Sequence, residues 1–349
     1  MGGAERVTLS VMDAITDQYD MDLICPEGDL PRFAVDKQAT TVEWKFYQHS
    51  LRNPISSLKC LYKTISLLKR LSPKIIHTGD ILALRSLAAA SKILNIPIIC
   101  HVHFPYDTSF IDWVFSKAPL VHTFIYCSQE LKRNLSPKLS EKVPKAIHRV
   151  VHNGIDIHTF KPGGKPLLNV IPRIGIIGNL QKRKGHDEFL QMACILKTAG
   201  VTAQFEIIGG DILQEPRQSF LEEEAVRLGI QDCTTFHGQV DDVLGLLSKL
   251  DIVVCASHEE AFPVTLLEAM AAGKAIVTTN VNGIPEAIDK TCGILTEPFN
   301  AQGLADGVRF LLEDKNAKLE LEKNAREKVK KQFSSSVFKE NILNVYEGV

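Results

Sequence analysis

Short apolar runs alternate with amphipathic stretches along almost the whole chain, and nothing else in the sequence constrains the fold as much. "MDLICPEG" reads as a strand and "ISSLKCLYKTISLLKRL" as a helix with apolar residues at helical spacing. "KIIHTGD", "IPIICHVHF" and "TFIYCS" continue as strands, with "ILALRSLAAASKIL" and "QELKRNL" as helices between and after them. Ser128 is placed to cap the second of these helices. The segment "DIHTFKPGGKPLLNVIP" is rich in Gly and Pro and breaks the pattern as a connection would. Beyond it "RIGIIGN", "AQFEIIGGD", "CTTFHG", "DIVVCAS" and "KAIVTTN" each lead into a helical stretch. Repeated βαβ units of this kind predict an α/β chain of two doubly wound, mainly parallel sheets. Ligands of such sheets bind at the carboxyl ends of the strands, so a cleft between the two halves is the expected site.

Length agrees, since 349 residues exceed what one ordinary core supports. Hydrophobic residues at 45% with 23% charged are those of a packed protein, not a disordered one. The eight cysteines are scattered without a CxxC, and several sit in apolar runs such as "IVVCA", which fits a reducing compartment. No apolar run reaches the roughly 18 residues of a membrane span. No secretory signal pattern opens the chain, and Arg6 occupies the Ser/Thr position of a myristoylation motif. The expected location is the cytoplasm, at most peripheral to the inner membrane face.

Charge is unevenly spread. Residues 1–165 hold 21 Lys+Arg against 15 Asp+Glu, and residues 166–349 hold 19 against 26. Within 45–74, Lys45, Arg52, Lys59, Lys63, Lys69, Arg70 and Lys74 stand without one acidic residue. Such a stretch offers residues 45–74 to an anionic membrane surface, and a solvated helix face would read the same way. Nucleic acid is not an expected partner, because the cations lack interleaved aromatic platforms.

Two stretches carry chemistry. In "SHEEAFPVTLLEAMAAGKAIV", Glu260 lies in a strand-to-helix loop and Glu268 is expected about two turns along the following helix. Pro263 suits the first helical turn, leaving N–H groups near Val264 and Thr265 open to an anion. Carboxylates beside such an anion suit sugar hydroxyls. In "IIGNLQKRKGHDEFL", a strand ends at Gly178 and Lys182, Arg183 and Lys184 precede a helix starting near Asp187. Cations at a helix N-terminus make a diphosphate site, although a solvated Lys-Arg-Lys run is the ordinary alternative. Two features resemble metal sites without supporting one. Asp20 and Asp22 lead into a strand as turn residues, and His101 and His103 share a strand face without a third ligand nearby in sequence. No metal is expected.

Together these stretches resemble the retaining GT-B-fold glycosyltransferases of glycosyl transferase group 1, family 4. "GGAER" is similar to the N-terminal glycine loop and "HNGIDIHTF" to the entry of the linker. "GNLQKRKG" resembles the Lys-Gly loop, and "EAFPVTLLEAMAAGKAIVTTNVNGIPE" the E-x7-E signature with its Gly-rich turn. The resemblance implies an N-terminal acceptor-side domain over 1–160, a linker over 161–172 and a nucleotide-sugar domain over 173–333. It also implies a C-terminal helix, 334–349, that returns to the first domain. The implied reaction moves a sugar from a nucleotide-diphosphate sugar to a hydroxyl of a glycan or lipid-linked acceptor, with retention and without cofactor or metal.

Residue by residue, the resemblance lets Gly2 and Gly3 approach the donor and gives Lys184, with Arg183, the departing diphosphate. Glu268 would hold the ribose, while Glu260 and the turn Ala261, Phe262, Pro263, Val264 and Thr265 would hold the sugar. His103 would sit at the reacting sugar. Three departures stand out. Asn179 replaces an Arg, Ala261 replaces a Gly whose φ could be positive, and no strand precedes the glycine pair. The last leads to the expectation that roughly 10–15 residues precede Met1. Asn179 and the absent strand also motivate an alternative, a non-catalytic nucleotide-sugar-binding or scaffold paralogue.

Overall fold

The computed structural model describes residues 3–28, 30–34, 39–44, 54–116, 121–162, 171–212 and 215–349. Gly2, Lys45, Arg52 and most of the expected linker lie outside the described residues. The chain divides into two compact units, one of Met1–Gly154 with Ser335–Val349 and one of Ile155–Ser334.

The first unit opens with α1 (Gly3–Ile15), whose buried face is Val7, Val11, Met12, Ala14 and Ile15. β1 (Asp22–Cys25) pairs in parallel with β2 (Thr40–Glu43), and the short α2 (Leu30–Ala34) lies between them. The sequence pattern had shown neither α2 nor β2, since both are too short for a period to register. α3 (Pro54–Leu71) leads to β3 (Ile76–Thr78), followed by α4 (Leu84–Leu94) and β4 (Ile98–Val102). α5 (Thr108–Val114), β5 (Val121–Tyr126), α6 (Gln129–Lys142) and β6 (Ile147–Val150) complete this half. β3-β4-β5-β6 form one parallel sheet, with β4 buried at every position. Its sheet and the β1-β2 pair share no hydrogen-bonded strand among the described residues.

Ser128 accepts from the Leu131 amide at 3.2 Å, as its N-cap position requires. α6 runs through Pro137 rather than stopping near "QELKRNL". Leu131, Leu135 and Leu139 stay buried along one face, and that packing offsets the lost hydrogen bond. α14 (Ser335–Tyr346) packs along α1 through Phe338, Ile342, Val345 and Tyr346, with Lys339 reaching Asp17 at 2.5 Å.

The second unit is a six-stranded parallel sheet in the order β12-β11-β10-β7-β8-β9. Its strands are β7 (Arg173–Ile177), β8 (Gln204–Ile208), β9 (Thr234–Gly238), β10 (Ile252–Cys255), β11 (Ala275–Thr279) and β12 (Ile294–Thr296). Between them run α7 (His186–Thr198), α8 (Gln218–Arg227), α9 (Val243–Lys249), α10 (Val264–Ala271) and α11 (Ile284–Ala287). α12 (Ala301–Glu313) and α13 (Lys315–Gln332) follow β12. Apolar side chains such as Ile174, Ile176, Phe189, Phe205, Ile252 and Val254 fill the core between this sheet and its helices.

Residues 155–160 belong to this unit, not to the first domain expected over 1–160. The Ile155 amide donates to the Phe333 carbonyl at 2.9 Å. Arg326 donates to the carbonyls of Phe160 and Ile157, each at 2.8 Å. Strand order reverses between β7 and β10, which makes the loops after these two strands the topological switch point.

Candidate active site

The loop after β7 is fixed by one glycine. Gly185 has φ +72° and caps α7, and a Cβ there would stand 1.9 Å from the Ala256 carbonyl oxygen. Only glycine satisfies both demands. The close approach brings the turn Lys182–Lys184 against the end of β10, where the His258 amide donates to the Arg183 carbonyl at 2.8 Å. His186, fully buried at the start of α7, is pushed down to about 4 by burial, with Arg217 and Lys184 adding to the shift.

The loop after β10 supplies the counter-charge. Glu260, 7% exposed, forms an ion pair with Lys184 through Oε1, and the Ser257 hydroxyl donates to the same oxygen at 3.3 Å. The backbone of Glu260 is clamped by the Asn-Gly turn after β11. Its amide donates to Asn282 Oδ1 at 3.3 Å, and its carbonyl accepts from the Gly283 amide at 3.1 Å. Thr279 Oγ1 donates to the Ser257 carbonyl at 2.6 Å and holds the start of the same loop. Ala261 is not among the residues of positive φ, so the strain foreseen for it does not arise.

Pro263 is the N-cap of α10, one position before the first turn expected for it, and makes no side-chain cap. The first N–H groups of α10, at Val264 and Thr265, therefore have no intrahelical acceptor, and the loop that leads into them carries Glu260. Glu268 lies one turn into α10, not two, and is 1% exposed, because α10 packs on α13 and β11 with Leu266–Ala271 all buried. Phe262 turns away into the core against Phe333, at 5.4 Å between ring centroids, so only its backbone belongs to the loop surface.

Sequence reasoning brought Lys184 and the Glu260 loop to one site but missed Ser257, Asn282 and His258. The Asn-Gly dipeptide at 282–283 was a usable signal for the clamp, since Asn282 adopts φ +44°. His258 stands 3.0 Å from Glu188, and its ring lies tilted against Phe299 at 3.9 Å between centroids. Arg183 reaches the Glu259 carbonyl at 3.5 Å, which anchors it at the same loop.

In the first unit the carboxyl ends of β3 and β4 gather three imidazoles. His101 and His103 lie 4.2 Å apart between centroids, and His77 adjoins His101 at 5.7 Å. In sequence the pair has no third ligand nearby. Parallel pairing of β3 with β4 brings His77 in from elsewhere in the chain. His77 Nδ1 and the Tyr346 hydroxyl share a 2.9 Å hydrogen bond, which ties α14 to the cluster. Burial pushes His103 down to about 4 and His77 to about 3, with His103 adding to the second shift. Burial also holds His101 well below the usual imidazole range. All three rings are neutral at pH 7. Among the described residues no group of three or more His, Cys, Asp or Glu is placed to hold a metal ion.

Gly79 marks how close α1 comes to this cluster. A Cβ there would stand 3.1 Å from Thr8 Oγ1 and 3.7 Å from His103 Nε2. Gly3 is the exposed first residue of α1.

The family profile described as "Glycosyl transferases group 1" matches residues 171–328, and that described as "Glycosyltransferase Family 4" matches residues 1–159. A relative in Campylobacter jejuni is an N,N'-diacetylbacillosaminyl-diphospho-undecaprenol alpha-1,3-N-acetylgalactosaminyltransferase. It is 28% identical over 98% of this chain and 94% of its own. Two solved structures share the fold. Anabaena HepE in complex with UDP-glucose has a TM-score of 0.86 at 19% identity, over 100% of this chain and 97% of that one. A glycosyltransferase from Rickettsia africae has a TM-score of 0.83 at 22% identity, over 99% and 95%. The two matched families span both halves, and a non-catalytic scaffold is not the favoured reading. The chain belongs to the GT-B-fold glycosyltransferases of group 1, family 4, and is a glycosyltransferase.

Proposed function

We propose that the protein transfers a sugar from a nucleotide-diphosphate sugar to a hydroxyl of a glycan or lipid-linked acceptor, with retention of configuration and without a metal. The observation that carries this is the Lys184–Glu260 pair at the switch point, formed by the loop that runs into the open N-terminus of α10. The diphosphate would displace Glu260 from Lys184 and take the ammonium, the Arg183 guanidinium and the Val264 and Thr265 amides as its partners. These groups stabilise the charge that grows on the leaving group as the glycosyl bond breaks. Because the chain's own cations supply this stabilisation, the step asks for no divalent ion.

Glu260, freed from Lys184, would accept from sugar hydroxyls and face the positive charge that develops on the ring. Glu268 would accept from the ribose, and Gly2 and Gly3 would leave room for the donor. His103, neutral at pH 7, would donate a hydrogen bond to a sugar hydroxyl. The departing phosphate oxygen would take the acceptor's proton on the same face. The HepE complex supports a nucleotide-sugar donor, and the undecaprenyl substrate in the name of the Campylobacter relative supports a lipid-linked acceptor. No helix among the described residues is long and apolar enough to cross a membrane. A cytoplasmic protein held peripherally at an anionic membrane surface by residues 45–74 fits that acceptor.

Nucleoside diphosphate release with a panel of donors tests the reading. Lys184→Ala and Glu268→Ala should each lower turnover by about a hundredfold. Turnover of both within about twofold of the parent would sink the assignment. The anomeric configuration of the product by NMR reads retention, and turnover unchanged by EDTA reads metal independence.

A further inference from the structure

α3 carries a second apolar stripe on the face away from its packing. Its inner face, with Cys60, Thr64, Leu67 and Leu68 buried, packs on α4. Its outer face carries Ile55, Leu58 and Tyr62 at 67%, 66% and 75% exposure. Spaced i, i+3 and i+7, these three fall on one stripe. Lys59 and Lys63, one residue further on than Leu58 and Tyr62, flank it, and Lys69 and Arg70 close the exposed face at the C-terminal end. Three large apolar groups left in water on a helix that already has a buried face need a partner.

The charge says which. Between Glu43 and Asp80 the chain has seven Lys and Arg and no acidic residue. A second copy of the chain would bring its own Lys59, Lys69 and Arg70 to the same face. A bilayer with anionic headgroups offers both an apolar layer and the opposite charge.

We infer that α3 lies in the plane of an anionic membrane interface, with Ile55, Leu58 and Tyr62 inserted below the headgroups and Lys59, Lys69 and Arg70 among them. The inference rests on the peripheral-membrane part of the proposed function and adds the inserted residues and the mode. Purely electrostatic attraction disappears within a Debye length and is screened by salt, whereas inserted side chains keep part of the binding in high salt. Long Lys stems covering the edges of an apolar stripe suit that depth. α3, about 27 Å long, would hold the first unit on the surface where a lipid-linked acceptor is presented.

The test is flotation of the full chain with vesicles of phosphatidylcholine alone and of phosphatidylcholine mixed with phosphatidylglycerol. The parent should float with the mixed vesicles only, and part of it should remain bound in high salt. Leu58→Ser with Tyr62→Ser should lower partition to mixed vesicles about tenfold and remove the salt-resistant part. Lys59→Gln with Lys69→Gln should lower it by a similar factor and leave the salt-resistant fraction in place. Tyr62→Trp should add blue-shifted emission on mixed vesicles.

Equal binding to both vesicle types overturns the inference, as does unchanged partition of the Leu58/Tyr62 variant. A soluble dimer that this variant abolishes overturns it too, in favour of a second copy. Nucleoside diphosphate release to a short soluble acceptor separates the two failures. It should be unchanged in the Leu58/Tyr62 variant, because neither residue lies among the catalytic groups.

Discussion

Lys184 and Glu260 form one ion pair across the switch point of the second sheet, although 76 residues separate them in the chain. Without a donor, the cation assigned to the diphosphate and the carboxylate assigned to the sugar neutralise each other. The pair keeps a largely buried carboxylate from standing uncompensated, and a diphosphate would exchange one anionic partner of Lys184 for another. On the proposed reading, donor binding and rearrangement of Glu260 would be coupled through a single ammonium.

Breaking the pair from either side should therefore cost stability as well as turnover. Lys184→Met leaves Glu260 buried without its cation, and about 3 kcal/mol of unfolding free energy should be lost. Lys184→Met with Glu260→Leu should recover most of that stability and none of the turnover. Denaturant unfolding beside nucleoside diphosphate release separates the two effects.

Gly185 has no tolerated substitute. Gly185→Ala drives a methyl into the Ala256 carbonyl at a backbone conformation that disfavours side chains. The expected loss is upwards of about 3 kcal/mol, read as a lowered melting temperature and a weakened donor affinity.

Ala261 should behave in the opposite way. Its φ is not positive, so Ala261→Gly relieves no strain and only adds freedom to the unfolded chain. A small destabilisation of about 0.5 kcal/mol is expected. A rise in melting temperature for Ala261→Gly would contradict it.

The histidine cluster sets a pH dependence of known sign. Above an ordinary imidazole pKa of about 6.5, native and unfolded chains both carry neutral rings and the full stability is present. As pH falls, the unfolded chain takes up protons that the buried rings refuse. Stability is then lost progressively until the folded values of about 4 for His103 and about 3 for His77 are reached. Thermal unfolding from pH 8 to pH 4 should show the decline, and His103→Asn should make it shallower.

The same burial predicts the form of the pH–rate profile. His103 stays neutral at and above pH 6, so kcat should show no limb near 6.5 from its titration. A limb there that vanishes in His103→Asn would show that His103 titrates near 6.5 and contradict its burial as a neutral ring.

The sequence was enough for the doubly wound fold, since apolar strand runs and amphipathic helices alternate whatever their tertiary partners. It was enough to single out the loops after β7 and β10 as well, because a basic Gly-ended loop and a Pro-started helix are local signals. Short elements such as α2 and β2 escaped because they hold too few residues for a period to show. The place of residues 155–160 was decided by Arg326 and Phe333, far along the chain.

Local sequence determined which chemical groups reach the strand ends, through turn and capping preferences acting over a few residues. Tertiary structure alone decided their partners. Parallel pairing of β3 with β4 placed His77 beside His101, and the clash-free approach of Gly185 to Ala256 set Lys184 against Glu260. Burial then fixed the charge of the three imidazoles, and the packing of α3 on α4 left Ile55, Leu58 and Tyr62 on the outside. Desolvation and contact depend on the distance between residues in space, and a linear pattern of apolar and polar residues does not carry that distance.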